Sequence, residues 1–457
     1  MPEPRESGSP DVLPLRDAVR VWAAISLQTF GGPAGQIAVM QRILVDEKRW
    51  IGQRRFLHAL SFCTLLPGPE AQQLAIYIGW LLNGIRGGLV AGTLFVLPGV
   101  AALLLLSALY VGAGDTVVVT ALFTGLAPAV LAIVAQAVVR VGRRALSHPA
   151  LVVIAVFAFA ALSLFTVPFP AVIAAAAIAG LCLGRLAPTS MRAVEAIEPG
   201  NGPAPLIRDD ALHSELPGKA HACRVLLVGL LAWGVPVLVA YATTGAESVF
   251  TQQSLFFSGA ALVTFGGAYA VLAYVAQQAV GVYGWLAPGE MVRGLALAET
   301  TPGPLIMVVQ YVAFLGAYRS PGTLNPWVAA TMAALLTTWV TFVPCFVFIF
   351  VGAPYVERLR GNHGLSAALR GITAAVVGVV ANLAVYFATH TLFGETRKVS
   401  RGAISVRVPD VWTLQPTAVA IGVLAALLLF VARWPVLRTL GVCAVAGLLA
   451  SVARTLS

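Results

Sequence analysis

Several stretches of this chain run for about 20 residues with almost no charge, the length a helix needs to cross the apolar core of a bilayer. They lie at 87–111, 117–139, 150–167, 225–243, 327–351, 417–432 and 436–452. In lipid the backbone must satisfy its own polar groups, within helices or a closed barrel, and long uniformly apolar windows select the helix. The 457 residues are 59% hydrophobic and only 11% charged, too few charges for the surface of a soluble core of that size. The chain is therefore expected to be an all-α polytopic, multi-pass membrane protein, with the lipid bilayer as its first partner.

Other classes are excluded by what the charges and thiols do. The polar, proline-rich opening at 1–14 lacks the apolar run and small-residue cleavage site of a secretory signal, so internal helices are expected to direct insertion. The net charge of +10 comes from Lys and Arg gathered in short loops between spans, as cytoplasmic loops require. No aromatic-basic recognition patch accompanies them, so no nucleic acid partner is expected. Cys63, Cys182, Cys223, Cys345 and Cys443 are scattered, mostly in apolar segments, and form no CxxC or Cys/His cluster. They read as small buried apolar residues, with no metal site and no cofactor. No nucleophile–base constellation marks an enzyme.

Self-comparison reveals a duplication. "TFGGPAGQIAV" from Thr29 matches "TFGGAYAVLAY" from Thr264, and the same register pairs Trp50 with Trp285 and Pro67-Gly68-Pro69 with Pro302-Gly303-Pro304. After an extra loop near 319–325, Pro98 pairs with Pro344 and Gly125 with Gly371. Glycine and proline report backbone geometry, which chance apolar similarity does not reproduce. The expected units are 15–187 and 249–457, joined by a polar cytoplasmic linker at 188–224 and one additional transmembrane helix at 225–248.

That odd helix predicts that the units have inverted topology, a common construction in secondary transporters. Placing the N-terminus inside puts Arg140, Arg143, Arg144, the linker, Arg358, Arg360 and Arg370 inside. Arg397, Lys398, Arg401 and Arg407 fall outside, in a longer loop where the bias is weaker. The loop carrying Arg42, Lys48, Arg49, Arg54 and Arg55 has an uncharged counterpart in "QAVGVYGWLAPGEM". Both loops obey the rule if the broken segments enter and return on one side, so re-entrant half-helices are preferred over full crossings.

Each unit holds two breaks, at Phe30-Gly31-Gly32 and Pro67-Gly68-Pro69 and again at Phe265-Gly266-Gly267 and Pro302-Gly303-Pro304. Irregular backbone at membrane depth is tolerated where protein buries it or where it lines a cavity. A half-helix start offers unpaired N–H donors and a partial positive charge, so four converging starts would bind an anion without a buried arginine. Packing kinks are the competing explanation, and two breaks per unit at matched spacing favour function. Gly31, Gly32, Gly68, Gly266, Gly267 and Gly303 would supply close backbone approach. Gln36, Gln72, Gln73, Thr300 and Thr301 would donate to anion oxygens, with interhelical bonding as their alternative role.

Two acids stand beside these breaks. Glu70, early in its half-helix, is expected to fill the anion site until it is protonated, a gate; helix stabilisation is the alternative. Glu299, before its break, is the stronger candidate proton carrier, because an ionisable residue at membrane depth is a functional candidate by default. Lys48, Arg49, Arg54 and Arg55 would form an inner vestibule that draws anions, or simply anchor the positive-inside orientation.

The stretches "TFGGPAGQIAVMQ", "FCTLLPGPEAQQLAIYIGW", "GGLVAGTLFVLPG", "FGGAYAVLAYV" and "LAETTPGPLIMVVQYVAFLGA" resemble the chromate ion transporter (CHR) family in its long two-domain form. The likeness spans most of the chain, and the tail after Gly394 departs from a simple copy of the first unit. The resemblance implies export of chromate from the cytoplasm, driven by the proton gradient. Protons and chromate, or a related oxyanion, would then be partners, and a second copy of the chain is a further candidate. A sulfate or other oxyanion transporter and a passive anion channel remain the alternatives.

Overall fold

The apolar runs become helices whose starts are written in the sequence. Thr116, Ser248 and Asn325 each accept a backbone N–H at a helix N-cap, and Pro149, Pro326 and Pro416 stand in first turns, where a missing N–H costs nothing. The computed structural model describes residues 13–30, 32–114, 116–165, 167–186, 205–207, 219–265, 268–353, 363–401 and 404–456. Its helices are α1 (Leu15–Ser26), α2 (Gly32–Gln41), α3 (Gln53–Cys63), α4 (Glu70–Ala113), α5 (Val117–Ala145), α6 (Pro149–Ser163), α7 (Phe169–Leu186) and α8 (Lys219–Thr244). There follow α9 (Val249–Val263), α10 (Ala268–Gly281), α11 (Glu290–Thr300), α12 (Val308–Arg319), α13 (Pro326–Gly352), α14 (His363–Leu392), α15 (Pro416–Ala426) and α16 (Val436–Leu456).

Among the described residues, 7 helices are long and apolar enough to cross a membrane. Their outer faces expose Leu105, Val117, Ile178, Leu238 and Leu449, each more than half accessible, a surface suited to lipid. The protein is an all-α polytopic membrane protein with one small exception. Strands β1 (Thr396–Arg401) and β2 (Ile404–Pro409) form an antiparallel hairpin within the long basic loop.

The broken segments fold back rather than run through. Arg55 donates to the Tyr77 hydroxyl (3.4 Å), and the Phe62 and Tyr77 rings lie 5.6 Å apart. A straight course would hold Arg55 and Tyr77 about 30 Å apart. In the second unit, Glu290 at the start of α11 meets Arg319 at the end of α12 (2.7 Å). Phe256 of α9 likewise lies 5.2 Å from Tyr274 of α10. These three breaks are the tips of helical hairpins.

α4 is itself two limbs, since Asn83 (φ −139°, ψ 29°) and Gly84 (φ 59°, ψ −151°) leave helical geometry and reverse the chain. Gly79 and Gly87 then touch backbone to backbone, with no room for a Cβ on either. Open space surrounds a Cβ at Gly84, so Gly84→Ala probes the dihedral alone. That substitution is expected to cost about 1–3 kcal/mol and to lower the melting temperature of the detergent-solubilised protein.

Helices from the two halves pack against each other in matched ways. The second limb of α4 runs antiparallel to α13: Gly88 meets Phe350, Gly92 meets Phe346, and Gly112 approaches Trp327. Gly125 of α5 packs on Gly447 of α16, and its register partner Gly371 of α14 packs on Gly180 of α7. The β hairpin lies between α14 and α15, which obscures this correspondence in the bare sequence. Within the polar linker, Leu206 and Ile207 donate to the Arg49 and Trp50 carbonyls, so this part of the linker sits on the basic loop. Cys63, Cys345 and Cys443 are buried as expected; Cys182 and Cys223 are exposed, because they fall on outward faces of α7 and α8.

Candidate functional site

The breaks meet in pairs, each pair drawn from both units. Gly68 and Gly303 sit at φ 118° and 104°, backbone that glycine alone adopts without strain. Gly68 donates its N–H to the Thr264 carbonyl (2.7 Å), and Gly303 donates to the Thr29 carbonyl (2.9 Å). Thr29 and Thr264 are the register-matched residues before the two FGG motifs, so the two bonds repeat one contact with the units exchanged.

Between these bonds lies a small cavity onto which four half-helix starts open. α2 contributes Pro33 and Gln36, α4 contributes Pro69, Glu70 and Ala71, and α10 contributes Ala268. Pro304, Leu305 and Ile306 come from the tight turn leading into α12. The space suits about one water-sized group. Each helix start presents the positive end of its dipole, so starts gathered at one place would favour negative charge there.

The polar residues divide sharply. Glu70 is the first residue of α4 after the N-cap Pro69, and it lines the cavity. Buried Gln36 lines it too and donates to the Gly303 carbonyl. Gln73 donates to the Pro67 carbonyl (2.6 Å) and braces the break from behind. Gln72 is fully buried, and neither amide atom has a hydrogen-bond partner among the described residues. Thr300 and Thr301 instead spend their hydroxyl protons on the carbonyls of Leu297 and Ala298 in their own helix. Gly32 (φ 75°) opens α2, whereas Gly31, Gly266 and Gly267 lie outside the described residues.

Glu299 is buried and accepts a hydrogen bond from the Tyr269 hydroxyl (2.5 Å). Sequence reasoning missed Tyr269, and the signal available was its place one residue into α10, directly after the FGG break. Its register partner in the first unit is Ala34, and that of Glu299 is Thr64, so the duplication offers no second example. Lys48, Arg49 and Arg54 are exposed at the basic loop. Arg55 is not with them, since it is buried against Tyr77, where it ties the base of the α3–α4 hairpin.

The chain is similar to known proteins over most of its length. The family model described as Chromate transporter matches residues 16–181 and 251–448. A "Chromate transport protein" of Pseudomonas aeruginosa is 33% identical over 366 residues, 78% of this chain and 76% of that one. One of the same description from Cupriavidus metallidurans is 26% identical over 394 residues, 86% and 88% of the two chains. A "Probable chromate transport protein" of Synechococcus elongatus is 24% identical over 378 residues, 83% and 86% of the two. No solved structure gives a significant match. Each matched segment carries one FGG and one PGP break, the elements that build the cavity, and on this agreement the chain belongs to the chromate transporter family and is a multi-pass protein of the plasma membrane.

Proposed function

We propose that the protein exports chromate from the cytoplasm as a proton-coupled secondary transporter, holding the anion where the half-helix starts meet. The observation that carries this reading is the single cavity lined by starts from all four broken segments. Chromate is a tetrahedral dianion, and backbone donors at helix starts hold such a charge without the desolvation cost of a buried arginine. Gln36 and Glu70 line that cavity, and Gln72 adds unspent hydrogen-bonding capacity one turn into α4. Gly32, Gly68, Gly303 and Gln73 shape and brace the breaks.

A carrier is favoured over a channel by the size of the cavity, which is smaller than the anion. Binding must therefore part the half-helices. The paired Gly68–Thr264 and Gly303–Thr29 bonds offer two seams that open in turn, one toward each side. Two inverted units, 15–187 and 249–457, would supply that exchange, a reading supported by the antiparallel packing of α4 on α13. Glu70 fills the anion site in the absence of substrate, and buried Glu299 carries the proton. Lys48, Arg49 and Arg54 raise the local anion concentration at the cytoplasmic mouth.

The test is purified protein in vesicles loaded with a pH-sensitive dye and exposed to chromate. A chromate gradient is expected to drive proton movement in the opposite sense, with sulfate, molybdate and phosphate as competitors. Chromate flux with no proton movement would mean a passive channel. Displacement by sulfate at lower concentration than by chromate itself would reassign the substrate.

A further inference from the structure

A second polar cluster stands at the far end of the bundle from the basic loop, where the second limb of α4 ends and α13 begins. Its centre is the ion pair of Glu290 with Arg319, joined through both carboxylate oxygens (2.7 Å each). The Ala287 N–H also donates to Glu290 (2.7 Å). This pair ties the base of the α11–α12 hairpin, as Arg55 and Tyr77 do for the equivalent hairpin. The structural need is met by those groups alone.

Arg293, one turn further along α11, is not needed for that tie. Its guanidinium donates to the Tyr110 hydroxyl (3.0 Å) and lies 5.7 Å over the Phe123 ring, both neutral partners. Tyr110 passes its own proton to Glu290 (3.1 Å), an acid already held by three other donors. Tyr311 is fully buried alongside, its ring 5.4 Å from that of Tyr110, and its hydroxyl has no hydrogen-bond partner among the described residues. A half-buried cation with no carboxylate partner among the described residues, beside one spare buried hydroxyl, forms an incomplete hydrogen-bonding set. What completes such a set is an acceptor with several oxygens and negative charge.

We propose that Arg293, Tyr110 and Tyr311 form a second oxyanion site, on the outer side of the protein. Resting on the transport reading above, it receives the tetrahedral anion after it leaves the central cavity. Phosphate-like geometry suits a guanidinium edge, and the excess of cations over acids in the cluster favours a dianion. α11 links the two places directly: its outer end carries Arg293 and its inner end leads into Pro302-Gly303-Pro304.

The test uses the full-length protein in vesicles with the outer face exposed, sulfate or chromate being the external probe. External sulfate is expected to slow chromate efflux from the wild type. Arg293→Gln should raise the half-inhibiting concentration about tenfold, and Arg293→Lys should restore most of the effect, as expected for a charge-assisted contact. Tyr311→Phe removes a hydroxyl that has no hydrogen-bond partner among the described residues, so it should change stability little while weakening external inhibition severalfold. An unchanged inhibition constant in Arg293→Gln overturns the site. Phenylglyoxal modification of wild-type protein, read by mass spectrometry at Arg293, gives an answer even if no chromate moves. Protection by external sulfate supports the site, and equal modification with and without it refutes it. Absence of efflux in the wild type would count against the transport reading alone.

Discussion

Glu299→Gln is expected to abolish chromate-driven proton movement in reconstituted vesicles while leaving a folded protein that still binds chromate. The amide has the shape of the acid, and its oxygen can accept the same hydrogen bond from the Tyr269 hydroxyl, so the local geometry should persist. What it lacks is a proton to gain and lose. A buried group that transfers protons typically contributes about 100-fold or more to the step it serves, and a loss of that size in coupled flux is anticipated. Tyr269→Phe separates the roles. It removes the partner that orients the carboxylate and retains the titratable group, so coupled transport should slow without disappearing. Undiminished proton flux in Glu299→Gln would move the coupling to another residue. Equal loss of chromate binding in that variant would make Glu299 part of the substrate site instead.

The breaks were legible in the sequence because glycine and proline write backbone geometry directly. Thr29-Phe30-Gly31-Gly32 and Pro67-Gly68-Pro69 recur in one register, and the structure gathers the starts that follow them at one cavity. Partnership across the fold was not legible. Nothing in the composition of the basic loop separates Arg55, tucked against Tyr77, from exposed Arg54 beside it. The Tyr269–Glu299 and Glu290–Arg319 contacts join residues about two half-helices apart, and only hairpin closure brings them together. The hydroxyls of Thr300 and Thr301 bond within their own helix for a local reason. Hydroxyls in the last turn of a helix readily bond carbonyls of the preceding turn, which competes with any outward role. α14 was obscured by the arginine and the small residues within it, and the late correspondence of α16 with α7 by the intervening β hairpin.

The two halves of the cavity are unequal in charge, and that inequality makes the second large effect. Glu70 lines one half, and the residue in register with it on the other side, Leu305, is apolar. If the Glu70 carboxylate competes with substrate for the half-helix starts, removing its charge should tighten anion binding and slow release. Glu70→Gln is expected to lower the chromate dissociation constant about tenfold, the usual scale for one charge at a partly buried helix start, and to reduce turnover because release becomes limiting. Leu305→Glu then supplies a competitor to the opposite half and should weaken binding by a similar factor. The pair of variants distinguishes competition from simple helix stabilisation, since a stabilising acid would change thermal stability in Glu70→Gln and leave the dissociation constant alone. Equilibrium binding and thermal melting on the same preparations decide between them. Opposite shifts in affinity at Glu70 and Leu305, with little change in melting, would assign the gate to a single carboxylate set in one half of a duplicated frame.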